Sequence, residues 1–183
     1  MSRYVTNWQN AGSQSQFPLL GTDNQWSNPP RQASDNPATW YLNPFQYNFS
    51  GQIPNDAIVK GLEVQVILKS TSGTAKDVGV KFSNDSNTAY GPNHATNSVL
   101  PTVFTSWYYG GDGDMWGLGE LSGSQIVNPP WSTVFGIAVR YQDSAGGTDT
   151  VFIEQHGPSG TPWISIRWYY DMPTGPFPTH FNT

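Results

Sequence analysis

The chain has 183 residues, with 8 Lys and Arg against 13 Asp and Glu, a net charge of −5 and no cysteine. No cluster of cations exists to neutralise phosphates, which argues against a nucleic-acid partner, and the same shortage argues against a basic helix lying on a membrane. Without cysteine there is no disulfide, no thiolate nucleophile and no Cys-based zinc site.

Charged residues make up 11% of the chain and aromatics 14%, with eight Trp, 19 Gly and 15 Pro. Disordered chains lack large apolar groups, so this composition describes a folded, turn-rich, all-β domain. The length suits one domain with a substantial core. Residues Met1 to Trp8 carry no apolar leader, and no run is long enough to span a bilayer, so the expected product is soluble where it is made.

Residues 1–37 are rich in Asn, Gln, Ser, Gly and Pro yet include Trp8, Phe17, Leu19, Leu20 and Trp26. Large apolar groups are rare in flexible linkers, so this stretch reads as an arm packed on its own domain or on a neighbour. A first strand with loops is the plainer alternative. Residues 38–49 read as strand, with Pro44 marking a sheet edge or a break.

After the Ile53-Pro54-Asn55-Asp56 turn comes the clearest alternation. Leu62, Val64, Val66 and Leu68 face one way, and Glu63, Gln65, Ile67 and Lys69 the other. Val78, Val80 and Phe82 form a second such stripe. Residues 84–100 are polar and turn-rich, and Thr102 to Tyr109 is strand-like.

Gly110-Gly111-Asp112-Gly113-Asp114 has to be a turn, and Gly119 to Val127 a loop or a single helical turn. Phe135, Ile137 and Val139 line another strand. Thr148 to Ile153 and Trp163 to Tyr170 complete the set, the last placing Ile164, Ile166 and Trp168 on one face. About eight short strands with long polar connections predict an antiparallel two-sheet β-sandwich of jelly-roll type over residues 38–171. Residues 172–183 hold Pro173, Pro176 and Pro178, which cannot donate to a sheet interior; they predict an extended strap offering Phe177 and Phe181.

Several fragments in order carry a resemblance. Ile53-Pro54-Asn55-Asp56-Ala57-Ile58-Val59-Lys60-Gly61-Leu62-Glu63-Val64 is followed by Lys76-Asp77-Val78-Gly79-Val80-Lys81. Then come Tyr109-Gly110-Gly111-Asp112-Gly113-Asp114-Met115-Trp116-Gly117 and Phe135-Gly136-Ile137-Ala138-Val139. Upstream stand Trp26-Ser27-Asn28-Pro29 and Asp35-Asn36-Pro37-Ala38-Thr39-Trp40. Together, over residues 26–170, these resemble bacteriophage virion accessory proteins of the minor-tail or head-decoration type.

The resemblance implies a β-sandwich with a structural role in head or tail, made in the host cytoplasm and carried in the virion. It implies other virion proteins as partners and no catalytic residue or cofactor. The proline-rich strap and the high aromatic content depart from the family pattern.

The candidate chemistry is sparse. Asp112 and Asp114 supply two carboxylates, fewer than a calcium loop uses, so a structural turn capped by Trp116 is the better reading. Glu63, Glu120 and Glu154 show no spacing that would converge an acid pair, and Glu63 is expected in solvent. His94, His156 and His180 are far apart, and no nucleophile or metal motif accompanies them.

The aromatic runs Trp107-Tyr108-Tyr109 and Trp168-Tyr169-Tyr170 carry more information. Neighbours on a strand face opposite sides, so each run puts rings on both faces of a sheet. With Trp8, Trp26, Phe177 and Phe181, these rings form the candidate interface for protein partners or a homo-oligomer; sugar stacking by a lectin-like module is the alternative.

Overall fold

The computed structural model describes residues 2–17, 25–27, 32–34, 38–83, 88–128, 135–143, 149–156 and 161–173. Phe177 and Phe181, and most of the expected strap, lie outside them. The described chain is all-β and antiparallel. Its strands are β1 (Arg3–Val5), β2 (Gln9–Phe17), β3 (Gln32–Ser34), β4 (Tyr41–Tyr47), β5 (Ile58–Ser70), β6 (Ala75–Ser83), β7 (Ala89–Tyr90), β8 (Thr105–Asp112), β9 (Leu121–Ser122), β10 (Gly136–Asp143), β11 (Thr150–Ile153), β12 (Gln155–His156), β13 (Thr161–Pro162) and β14 (Ile164–Asp171). A single short helix, α1 (Gly123–Val127), falls where a loop or turn is predicted. It starts on a capping box, with Ser122 and Gln125 satisfying each other's backbone donors.

β5 is the spine. Its 13 residues alternate as the sequence predicts, with Leu62, Val64, Val66 and Leu68 fully buried. One edge pairs with β8 and β9, and the other with β11 and β14. β11 and β14 are one strand interrupted. Ile153 pairs with Leu68 and Ile164 with Val66, while Ile67 between them donates to Trp163 O and accepts from Glu154 N. Between them β12 and β13 lie off this sheet and pair as a small ladder of their own.

The amino-terminal segment is built into the sheet. Arg3–Val5 pairs with β14, and β2 continues along it through Gln9 and Asn10 before pairing with β4 from Ala11 to Phe17. β2 thereby joins the β5 group to a second group, β4–β10–β6–β7. Arg3 anchors the start, bonding Asp171 at 2.7 Å and forming an ion pair with Asp112.

Pro44 is not on an edge. β4 lies between β2 and β10, and Pro44 is opposite Gln14 of β2. The β4–β10 ladder pairs Leu42 with Val139 and Phe45 with Gly136 and has no pair at Pro44 between them.

The inward side chains of both strand groups meet in one core. Trp168 of β14 lies 5.4 Å from Phe135 and 6.4 Å from Phe49, ring to ring, and Phe135 in turn contacts Phe82 of β6 at 5.0 Å. Leu42, Val80, Ile137, Val139 and Tyr141 close it from the β4–β10–β6 side, all without solvent exposure.

Candidate functional site

The outer face of β8, β5 and β14 carries the alternating half of each strand, and there the polar and aromatic side chains converge. Glu63 of β5 is not a free surface carboxylate. Its Oε2 accepts from Arg167 Nε at 2.6 Å and from the Tyr169 hydroxyl at 2.7 Å, and its side chain is 15% exposed. The register explains the pairing, since Arg167 is the cross-strand partner of Glu63. Hydrogen bonding and charge from Glu63 push both the Arg167 guanidinium and the Tyr169 hydroxyl above their ordinary values; for Tyr169, burial acts first in the same direction, while for Arg167 burial opposes the shift.

Arg167 also lies over the Trp8 ring, 4.5 Å from its centroid, and Trp8 contacts Tyr108 at 6.0 Å with the rings inclined by 45°. Gln65 then ties the row to β8, donating to the Tyr108 hydroxyl at 3.1 Å and to Ser106 Oγ at 3.2 Å. Further along the face, the Lys69 ammonium sits over Phe104 and Phe152. The result is a plate of rings, with Tyr108 53% and Phe104 44% exposed, on which Glu63 and Gln65 hold their neighbours by side-chain hydrogen bonds and Lys69 lies against rings.

The two aromatic runs alternate as expected. Tyr108 and the half-buried Tyr169 face outward, while Tyr109, Trp168 and Tyr170 are buried and Trp107 is half-buried beside Tyr109. Tyr170 is covered by the exposed Tyr4, stacked at 5.5 Å. Trp26 is no surface residue: it is 2% exposed, and its indole N–H donates to Trp40 O at 2.8 Å. Trp8 is half-buried within the plate. Of the proposed interface residues, the structure therefore brings together Trp8, Tyr108 and Tyr169, and sends Trp26, Tyr109, Trp168 and Tyr170 inward.

The glycine-rich turn is a packed unit. Asp114 Oδ1 accepts from the Trp116 backbone N–H at 2.9 Å, and Trp116, buried at φ +53°, donates its indole N–H to Leu62 O at 2.9 Å. His94 stacks on that indole at 3.8 Å and bonds Asp114 Oδ2 through Nε2 at 2.8 Å. The orientation is unlike a catalytic dyad, where the carboxylate holds one ring nitrogen and the other serves a nucleophile. Here His94 Nδ1 is buried with no hydrogen-bond partner among the described residues. Asp112 is taken up by Arg3.

Two further aspartates, Asp149 and Asp77, organise loops. Asp149 Oδ1 accepts from the backbone N–H groups of Thr71, Ser72 and Thr150 and from the Thr71 hydroxyl; Oδ2 accepts from the N–H groups of Thr74 and Ala75 and from the Thr74 hydroxyl. Burial would raise its pKa, but the Thr71 hydroxyl and the Ser72, Ala75 and Thr74 N–H groups overcome that and hold the carboxyl far below the usual range. Asp77, fully buried, accepts from Thr96 N–H, Thr96 Oγ1 and Ser98 N–H.

Burial, reinforced by the neighbouring Tyr141 and Asp77, pushes the Tyr109 hydroxyl far up, out of reach of any acid–base role near neutrality. A small, mostly apolar pocket of about 10 Å³ is lined by Tyr47, Phe49, Ile126, Phe135 and Trp168. No group of three or more His, Asp or Glu able to hold a metal occurs among the described residues.

No protein-family model matches the chain, and no curated protein or solved structure matches it.

Proposed function

We propose that this protein is a non-enzymatic bacteriophage virion component that decorates the capsid or forms an accessory part of the tail, working through protein–protein contacts. The observation that carries the reading is the outer plate of β8, β5 and β14. It is aromatic and partly exposed, and its Glu63–Arg167 pair is already made, so a partner can cover that part of the face without stranding either charge. Tyr, Trp and Arg are the residues most often found as anchors in such interfaces.

Three of the motifs behind the phage resemblance suit this reading because they have structural tasks. Ile53 to Val64 leads into the spine strand, and its Gly61 has no room for a Cβ against the backbone of Gly111. The Gly110–Gly117 segment seats Trp116 on Leu62, and Phe135 to Val139 fills the core. These residues define a fold, and a family held together by fold and assembly would keep them.

In the same proposal the two strand groups joined by β2 form a two-sheet sandwich of jelly-roll type. Residues 172–183 are its strap, with Phe177 and Phe181 docking on a neighbouring subunit. A carbohydrate-binding module of a receptor-binding fibre is less well supported. Sugar stacking favours rings presented flat beside free polar groups, whereas Trp8 and Tyr108 are inclined by 45° and Gln65, Glu63 and Arg167 are engaged with neighbouring side chains.

The test is to purify particles of the phage that encodes the chain, identify their proteins by mass spectrometry and label them with antibody-bound gold. The protein is expected in stoichiometric amounts at a fixed place on head or tail. Its absence from washed particles would overturn the reading, and saturable binding on a glycan panel would favour the fibre module instead.

A further inference from the structure

The edge strand β8 has features of a pairing surface for a second copy of the chain. Backbone direction follows from the bonds around β5. Ile67 spends both its main-chain groups on the β11–β14 side, whereas Leu62 and Ser70 donate to Asp114 O and Pro101 O on the β8 side. Main-chain groups alternate along a strand, so Val64, Val66 and Leu68 face β8, bonding their partners Tyr109, Trp107 and Thr105. Ser106 and Tyr108, between those partners, must turn their N–H and C=O groups outward. Among the described residues no strand pairs with that side of β8.

Proteins blunt exposed edges with short strands, prolines, lysines or bulges. The strands β1, β3, β7 and β9 have only two or three residues each. β8 has eight, and none is Pro or Lys. Val103-Phe104-Thr105-Ser106-Trp107-Tyr108-Tyr109 is uncharged, rich in β-branched and aromatic residues and free of Pro and Gly, the pattern of segments that pair with themselves. Val103 is 68% exposed beside it.

The chain carries a net charge of −5, so like surfaces generally repel. Yet no Asp, Glu, Lys or Arg occurs between Asp85 and Asp112, and two copies can meet along this edge without that penalty. The proline-rich residues 172–183 are a poor occupant, because Pro176 and Pro178 lack the donors a ladder needs.

We infer that two copies pair antiparallel through β8 about a two-fold axis at Trp107. Ser106 of one copy meets Tyr108 of the other, each exchanging both main-chain groups. Gly110 at φ +71° and Gly111 at φ +144° depart from regular strand geometry, so the pairing between copies ends there although β8 stays on β5 through Asp112. The inference rests on the assembly reading but uses the strand edge, not the aromatic plate.

The test compares the intact chain with Ser106→Pro, which removes one outward donor, and Tyr108→Lys, which places a charge beside the pair. Light scattering across a dilution series should show a dimer for the intact chain. Each variant should raise its dissociation constant by about tenfold or more. Hydrogen exchange supplies a readout that survives poor folding of a variant. In the intact dimer the Ser106 and Tyr108 amides should be protected along with those of Trp107 and Tyr109.

A chain that stays monomeric at all concentrations would overturn the inference. So would a dimer in which the Ser106 and Tyr108 amides exchange freely. Particle binding by a monomeric chain would leave the virion reading standing while this pairing falls.

Discussion

Replacing Asp149 by Ala should lower stability by about 4 kcal/mol and the thermal midpoint by roughly 8–16 °C. Asp149 is 2% exposed, and its carboxylate gathers donors from Thr71, Ser72, Thr74, Ala75 and Thr150, joining the β5–β6 turn to the start of β11. Removing it takes the acceptor from the Ser72, Thr74 and Ala75 N–H groups, while Thr71 and Thr150 N–H keep their bonds to Thr150 O and the Thr71 hydroxyl. Asn should be nearly as damaging as Ala. Five of the partners are backbone N–H groups, so an amide nitrogen placed there would face backbone donors, with only a threonine hydroxyl able to accept from it.

The same site gives a pH dependence of definite sign. Because the folded-state pKa lies below the unfolded value, the ionised carboxylate contributes its full stabilisation above the unfolded pKa of about 4. That contribution declines as pH falls below it towards the folded value. Urea melts between pH 7 and pH 2 should show a steeper acid loss for the intact chain than for Asp149→Ala. Parallel curves would mean that the carboxylate is not held as described.

Gly110→Ala should cost about 3 kcal/mol, from two sources that can be separated. Gly110 has φ +71°, and an added Cβ would fall on Trp116 Nε1 and Leu62 O, breaking the indole hydrogen bond that seats the turn. Gly113 has φ +85° but nothing within 4 Å of a built Cβ. Gly113→Ala should therefore show the backbone strain alone, about 1 kcal/mol. Chemical denaturation of the two variants side by side checks this. Equal losses would mean that the contact with Trp116 contributes nothing.

The contrast shows which parts of the molecule a sequence can express. Strand alternation is local, so the stripes of β5, β10 and β14 and the outward turn of Tyr108 and Tyr169 are readable from period two alone. The turn at Gly110–Asp114 is readable because glycines announce positive φ.

What the sequence hides depends on register between distant segments. Glu63 looks like a solvent residue until Arg167 is placed opposite it, and Asp149 looks like a loop residue until the β5–β6 turn closes around it. Trp26 is an exposed-ring candidate until Trp40 O and Tyr141 are brought beside it. Pro44 marks an interruption correctly, but the interruption falls inside the sheet because the β4–β10 ladder skips the residue. The single strand split into β11 and β14 is invisible for a similar reason. Both halves read as strands, and only β5 shows that they share one edge.

The outer plate as a binding surface is the centre of this account, and Trp8 tests it most directly. Trp8 packs against Arg167 and Tyr108 but lies on neither the β8 edge nor the core. On the proposed virion reading, particles assembled without the protein should bind the purified chain in a sedimentation assay. Trp8→Ala should keep its thermal midpoint within a few degrees and weaken particle binding by about tenfold or more. Binding by Trp8→Ala indistinguishable from that of the intact chain would contradict the assignment of this face.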